Sequence, residues 1–344
     1  MATAMFCVNG YNISLDRKEQ GADIDFISHA HTDHTAAARN NKNILASGQT
    51  IDLIRRIYGK NVNKYDLSKH GWLKLLNAGH MLGSKQILMD DYGTGSRIVY
   101  TGDYQMQESM ASERIEIEKA DIAILDSTYP TPDTIFDERA VVEQGIRKWT
   151  TTMQKHGIVL FGAYAMGKAQ ELIAILNDAG ITPVVSKKIN EVSAIYNAHG
   201  VKLDYVSAYK EQSDHEEVLK DNFVGIVENH NLGTLPYMLT SAYGKRVFTA
   251  VATGFAKEFV FPTDAQFPLS DHADFWQATE YIEAVDPAMI YTYGKSSYVF
   301  AENLKKLGYN ALPFDHMKGN ATPYSNPINV SAMAGKLQKE MRSA

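Results

Sequence analysis

Three of the chain's 11 histidines fall within residues 29–34, HAHTDH, directly after the apolar stretch IDFIS. His29 and His31 are two apart, so an extended backbone turns both imidazoles to one side. Asp33 and His34 follow where the chain bends toward a helix pattern. His80 in NAGHMLGS and Asp103 in YTGDY also stand at the ends of strand patterns. Gly79 and Gly83 flank His80 and let the backbone approach closely. A lone His or Asp at a strand end is ordinarily a cap or a loop residue, but these six together make a ligand set for two divalent metals. His29, His31 and His80 would take one metal and Asp33 and His34 the other, with Asp103 bridging. Nitrogen-rich ligation with carboxylates suits Zn, with Mn an option at the second site. Two such metals clamp the attacking and leaving oxygens of a phosphodiester.

The elements that must carry these residues are short strands. IDFISHA, WLKLLNAG, KQILMD, SRIVYTGD and DIAILDSTY are β-branched or alternating and end in Gly, Asp or His. HTAAARNN and GQTIDLIRRIYG between them read as short helices. After STYPTPD the texture changes. A helix pattern over about 137–156 leads to a strand, a turn and a helix, then to ITPVVSK, a helix near 191–197, and strands near 224–227 and 247–251. This is a separate βαβ-type layer. From FPLSDHADF onward follow a helix over 274–284, the strand AMIYTYG, a helix over 297–307 and a loop-rich tail.

Within that middle layer, IVLFGAYAMGKAQE has the G-x-x-x-x-G-K spacing of a nucleotide-binding loop, between a strand and a helix. Ala169 stands where a Ser or Thr hydroxyl should hold Mg²⁺, and the acidic strand ends Asp103 and Asp126 already have other uses. A nucleotide site is therefore disfavoured. Two readings stay open: a Gly-rich turn at a helix N-terminus that binds a nucleic-acid phosphate with Lys168 adding charge, or glycines present for tight strand–helix packing.

The composition bounds the rest. The chain has 344 residues, is 44% hydrophobic and 22% charged, and carries a formal charge of −6. That length predicts two domains. The acidic balance excludes a basic nucleic-acid coat, so a polyanion would need a local positive site, from a basic patch or from metal. A single cysteine excludes an internal disulfide framework. No apolar run reaches the roughly 20 residues of a membrane span, and the start lacks a signal-peptide pattern. The expectation is a cytoplasmic protein with no membrane partner; its oligomeric state is not legible.

HAHTDH, AGHMLGS and TGDY together resemble the metallo-β-lactamase superfamily, and Asp16 in NISLD matches the acidic residue that family places behind its metal hexad. LDSTYP (125–130) and LSDHADF (269–275) resemble two further motifs of the β-CASP nucleases, which act on nucleic acids. FGAYAMGKAQE is similar to the segment that opens that branch's inserted domain. The likeness runs from about Asp16 to Leu312. Within the branch, GHMLGSKQI, GKAQ and LSDHADF look most like the exonucleases encoded beside DNA ligases; messenger-RNA 3′-end processing factors belong to the same group.

The resemblance implies an α/β fold: an αββα sandwich formed by residues 1–131 and 262–344, with a β-CASP insert over 132–261. It implies a metal-dependent nuclease, by preference an exonuclease, in messenger-RNA 3′-end processing or DNA repair. Asp33, Asp126 and His272 would be catalytic, with Asp126 accepting a hydrogen bond from His272 and keeping a proton available for the leaving oxygen. Ser127, Thr128, Gly167 and Lys168 are the candidate contacts to substrate phosphates. The alternatives are a small-molecule metallo-hydrolase and a nucleic-acid-binding protein with an inactive site. There is one departure: Tyr293 in IYTYGKS stands where the family carries a final metal-binding His, which predicts a weakened second site. His316 in FDHMKG is the nearby substitute.

Overall fold

The computed structural model describes residues 5–39, 43–209 and 221–314, together with the backbone of 328–329. These divide into two compact units. One comprises the described residues of Met1–Met106, Glu113–Ile135 and His272–Ala344, the other Gln107–Ser112 and Phe136–Asp271.

The first unit is built on two sheets. A four-stranded sheet runs in the order Ile328–Asn329, Met5–Val8, Tyr11–Leu15, Ile24–Phe26. A six-stranded sheet runs Ala311–Pro313, Met289–Tyr293, Ile122–Asp126, Ser96–Tyr100, Lys85–Asp91, Leu73–Asn77. Period-2 alternation assigns its two faces. Ile122 and Ile124 join Phe6, Ile13, Leu15 and Phe26 in the core between the sheets. Ala123 and Leu125, the intervening residues, pack with Phe275, Ile282, Phe300 and Leu304 from the helices Phe275–Val285 and Ser297–Lys306. A sheet buried on both faces explains why these strands read as continuous apolar runs. The strands ending at Tyr100, Asp126 and Tyr293 are mutually parallel neighbours, so their C-terminal ends share one edge of the sheet.

The second unit is a six-stranded sheet in the order Val206–Ser207, Val184–Val185, Val224–Glu228, Ile158–Ala163, Val247–Ala252, Ala265–Phe267, parallel throughout. All six residues of Ile158–Ala163 are buried. The unit's described helices are Arg139–Gln154, Lys168–Asp178, Lys187–Ala198 and Leu235–Tyr243. The expected domain breaks at 131/132 and 261/262 precede those of the structure, 135/136 and 271/272. The reason at the second break is the strand Ala265–Phe267, which pairs with Val247–Ala252 and extends the insert's sheet. No described helix is long and apolar enough to cross a membrane.

The Gly-rich turn has its donors engaged inside this unit. The Gly167 N–H donates to Gln170 Oε1 at 2.8 Å. The Lys168 side chain is 3% exposed, and its ammonium donates to Glu171 Oε2 at 2.9 Å and Asp271 Oδ1 at 2.6 Å. Arg139 completes the cluster, pairing with Glu171, standing 3.7 Å from Asp271 and donating to the Ser270 carbonyl at 2.8 Å. Burial pushes the Lys168 ammonium down to about 8 against the pull of Asp271. Removing one member of such a buried set strands the others without compensation. Lys168→Met should therefore lower the unfolding free energy by about 3–5 kcal/mol in urea denaturation; a variant as stable as the parent would contradict this account of the loop.

Candidate metal centre

The hexad follows the strand Ile24–Phe26, and a carboxylate behind it fixes its shape. Asp16 is 2% exposed and sits at φ 56°, a left-handed conformation that Asp tolerates better than most residues. Its Oδ1 accepts the Ser28 N–H at 2.6 Å. Its Oδ2 accepts from Ser28 Oγ at 2.6 Å, Tyr100 Oη at 2.8 Å and His34 Nδ1 at 2.9 Å. With its own proton given to Asp16, Ser28 Oγ accepts from His29 Nδ1 at 3.0 Å. The Nδ1 atom of each ring is thereby committed, and Nε2 is the atom left to ligate. A turn closed by His34 N–H to the His31 carbonyl, 3.0 Å, brings the fourth member round.

The other ligands arrive on strand ends that need glycine. A Cβ at Gly79, φ 79°, would lie 2.3 Å from the Gln105 carbonyl oxygen, and one at Gly102, φ 55°, would lie 2.6 Å from Ser28 Cβ. These close approaches set His80 and Asp103 against the hexad. His29 Nε2 is 3.1 Å from His31 Nδ1 and 3.5 Å from Asp103 Oδ2, and His80 Nε2 is 3.2 Å from His31 Nδ1 and 3.8 Å from Asp103 Oδ2. Ligand atoms about 2.0–2.1 Å from a tetrahedral zinc stand about 3.3–3.4 Å apart. Three nitrogens and one carboxylate oxygen at this spacing fit one divalent cation, and all four atoms lie within 4.8 Å of one another.

Electrostatics favour the neutral ring at His29 and the imidazolium at His34, where a bound cation would take the place of the Nε2 proton. Burial, and then the neighbouring His34, hold the His29 pKa well below its usual value, which favours the neutral ligand. Burial opposes the charge of Asp103, but His34, His272 and His29 outweigh it and hold the carboxyl well below the usual range. Burial likewise opposes the His34 imidazolium, and Asp103 and Asp16 outweigh it, raising that pKa well above normal.

His34 Nε2 is 3.4 Å from Asp103 Oδ2 and 3.8 Å from Asp33 Oδ2, but the Asp33 side chain is 84% exposed and stands at the margin of the group. Asp126 ends the strand Ile122–Asp126. Its Oδ2 accepts from His272 Nδ1 at 2.9 Å, and His272 Nε2 lies 4.0 Å from Asp103 Oδ2. Asp126 pairs in register with Tyr293 on the adjacent strand. The Tyr293 hydroxyl oxygen accepts from Arg17 Nε at 2.6 Å. His316 lies outside the described residues.

The four expected phosphate contacts divide between the two units, and each has a donor engaged by a protein acceptor of its own unit. Thr128 Oγ1 donates to Asp126 Oδ1 at 2.9 Å and Ser127 Oγ to the Tyr293 carbonyl at 2.7 Å, while Gly167 and Lys168 serve the second unit's own carboxylate and amide groups. Sequence reasoning missed Ser28, whose place directly before the hexad was a usable signal. It also missed Gln105, whose side chain reaches the His272 carbonyl across 167 positions and left no local trace.

No protein-family model matches the chain. It is 29% identical over 303 residues to a probable DNA ligase from Opitutus terrae, which covers 83% of this chain and 28% of that protein. It is 26% identical over 223 residues to an RNase J-like protein from Methanocaldococcus jannaschii, 55% of this chain and 52% of that one. It is 24% identical over 326 residues to the 5′ exonuclease Apollo from Gallus gallus, 89% and 67% respectively. The chain thus spans between about a quarter and half of the first two relatives. A two-sheet unit with a parallel insert, a histidine hexad backed by a buried aspartate, and this range of relatives all point the same way: the chain is similar to the nucleases of the β-CASP branch of the metallo-β-lactamase superfamily.

Proposed function

We propose that the chain is a metal-dependent phosphodiesterase that hydrolyses DNA or RNA, working from a strand end as an exonuclease. The observation that carries this reading is the Asp126–His272 pair standing beside the cluster of His29, His31, His80 and Asp103. A proton donor next to a divalent-cation seat is what cleavage of a P–O bond with a poor leaving group requires. The relatives' names divide between an RNase, a 5′ exonuclease and a DNA ligase, in keeping with roles in RNA processing or DNA repair.

His29, His31, His80 and Asp103 would hold one metal, zinc by its preference for imidazole. Asp33, His34 and Asp103 would hold a second, zinc or manganese. Bound there, such ions neutralise phosphate charge and lower the pKa of a water molecule toward neutrality. The chain's own groups supply the remainder. Asp126 holds the Nδ1 proton of His272 and turns Nε2 toward the cluster. Its charge favours the imidazolium, which retains a proton for the leaving 3′ or 5′ oxygen. Asp33 orients the attacking water from its exposed position beside His34. Ser127, Thr128, Gly167 and Lys168 are not phosphate contacts in this proposal, because their donors serve protein acceptors.

Digestion of end-labelled single- and double-stranded DNA and RNA with Zn²⁺ or Mn²⁺ tests the reading. Stepwise shortening from one end is expected, and His31→Ala should reduce both activity and tightly bound zinc while keeping the parent's far-UV circular dichroism spectrum. Intact substrates with metal-loaded protein would overturn it.

Tyr293 leaves the second site one imidazole short of the family's set. The purified protein should carry closer to one tightly bound metal than two, and added Mn²⁺ or Zn²⁺ should stimulate it. Tyr293→His should raise the bound metal toward two by elemental mass spectrometry. Two fully retained metals in the parent protein would contradict the weakened site.

A further inference from the structure

His272 belongs to neither a helix nor a strand. It precedes the helix Phe275–Val285, whose N-cap is Asp274. A side chain on such a segment holds its place only through specific anchors, and three are present. Its ring donates to Asp126 Oδ2 at 2.9 Å. The next residue's N–H, that of Ala273, donates to the Tyr104 carbonyl at 2.8 Å. Its own carbonyl accepts from Gln105 Nε2 at 2.9 Å.

Gln105 is 3% exposed and lies two residues after Asp103. Its N–H donates to the Ala78 carbonyl at 3.0 Å, and its carbonyl oxygen occupies the space that a side chain on Gly79 would need. One residue therefore touches the backbone beside His80, follows Asp103 in the chain and grips the backbone of His272. The ring contacts that result are close: His80 and His272 have centroids 4.7 Å apart.

We propose that Gln105 is a positioning residue that sets where the His272 ring stands relative to the ligand cluster. The proposal rests on the phosphodiesterase reading above, with His272 as the proton donor to the leaving oxygen. Loss of the carboxamide donor leaves the His272 carbonyl without that partner and frees the segment to shift. Small displacements of a reacting group lower rate steeply while leaving substrate binding intact.

The test compares the parent with Gln105→Met, which keeps length and apolar packing but removes the donor. Gln105→Glu, of equal size, serves if the first variant does not fold. On an oligonucleotide, kcat should fall about 10–100-fold with KM unchanged, as for residues that orient catalytic groups, and with bound zinc unchanged. On thymidine 5′-(p-nitrophenyl phosphate), whose leaving group needs no proton, kcat should stay within about twofold of the parent. A role confined to structure would lower both rates alike, and that outcome overturns the proposal, as does an unchanged kcat on the oligonucleotide. A parent protein inactive on both substrates would instead overturn the phosphodiesterase reading. The crystal structure of Gln105→Met then decides this inference by itself: a displaced His272 supports it, and an unmoved one overturns it.

Discussion

The candidate site depends on the buried carboxylate of Asp16. Its two oxygens accept four hydrogen bonds, two from Ser28, one from Tyr100 and one from His34. A buried charge is tolerated only when its lone pairs are satisfied in this way. The same bonds fix the tautomers of two histidines, His34 directly and His29 through the Ser28 hydroxyl. Partners one step behind a metal cluster set the orientation and basicity of its ligands. The hexad could otherwise adopt many loop conformations; Asp16 selects the one in which ring nitrogens converge.

Sheet topology supplies the second constraint. The strands ending at Tyr100, Asp126 and Tyr293 run parallel side by side, so Asp103, Asp126 and Tyr293 emerge along one edge. Function at the C-terminal edge of parallel strands is a general outcome of such sheets. It also explains the glycines at 79 and 102: chains crowded along one edge approach more closely than a Cβ allows. Polar groups meet there at distances that would be repulsive or wasteful in a site with no cation to share.

Much of this was legible in sequence because it is local. The six residues HAHTDH carry their geometry in their spacing, and His80 and Asp103 follow recognisable strand ends. Helices expected over 274–284 and 297–307 occur as Phe275–Val285 and Ser297–Lys306, since apolar periodicity lies within each segment and Asp274 caps the first. Long-range polar contacts were not legible. Nothing near Gln105 signals a bond to residue 272, and nothing near Thr128 signals that its hydroxyl goes to Asp126 rather than to a ligand. Lys168 read as a charge for a substrate phosphate on a Gly-rich turn. Its partners are Glu171, one helical turn on, and Asp271, remote in sequence, and only the second makes a buried ion cluster evident. The helix Leu235–Tyr243 escaped notice because its apolar residues run almost continuously rather than alternating with polar ones, and none of them is fully buried.

The central claim is that His29, His31, His80 and Asp103 surround a divalent cation. Anomalous diffraction at the zinc absorption edge, from crystals grown with zinc, tests it most directly. The account predicts a strong anomalous peak enclosed by His29 Nε2, His31 Nδ1, His80 Nε2 and Asp103 Oδ2. An absent peak, or one bound only by surface residues away from these four, would contradict it.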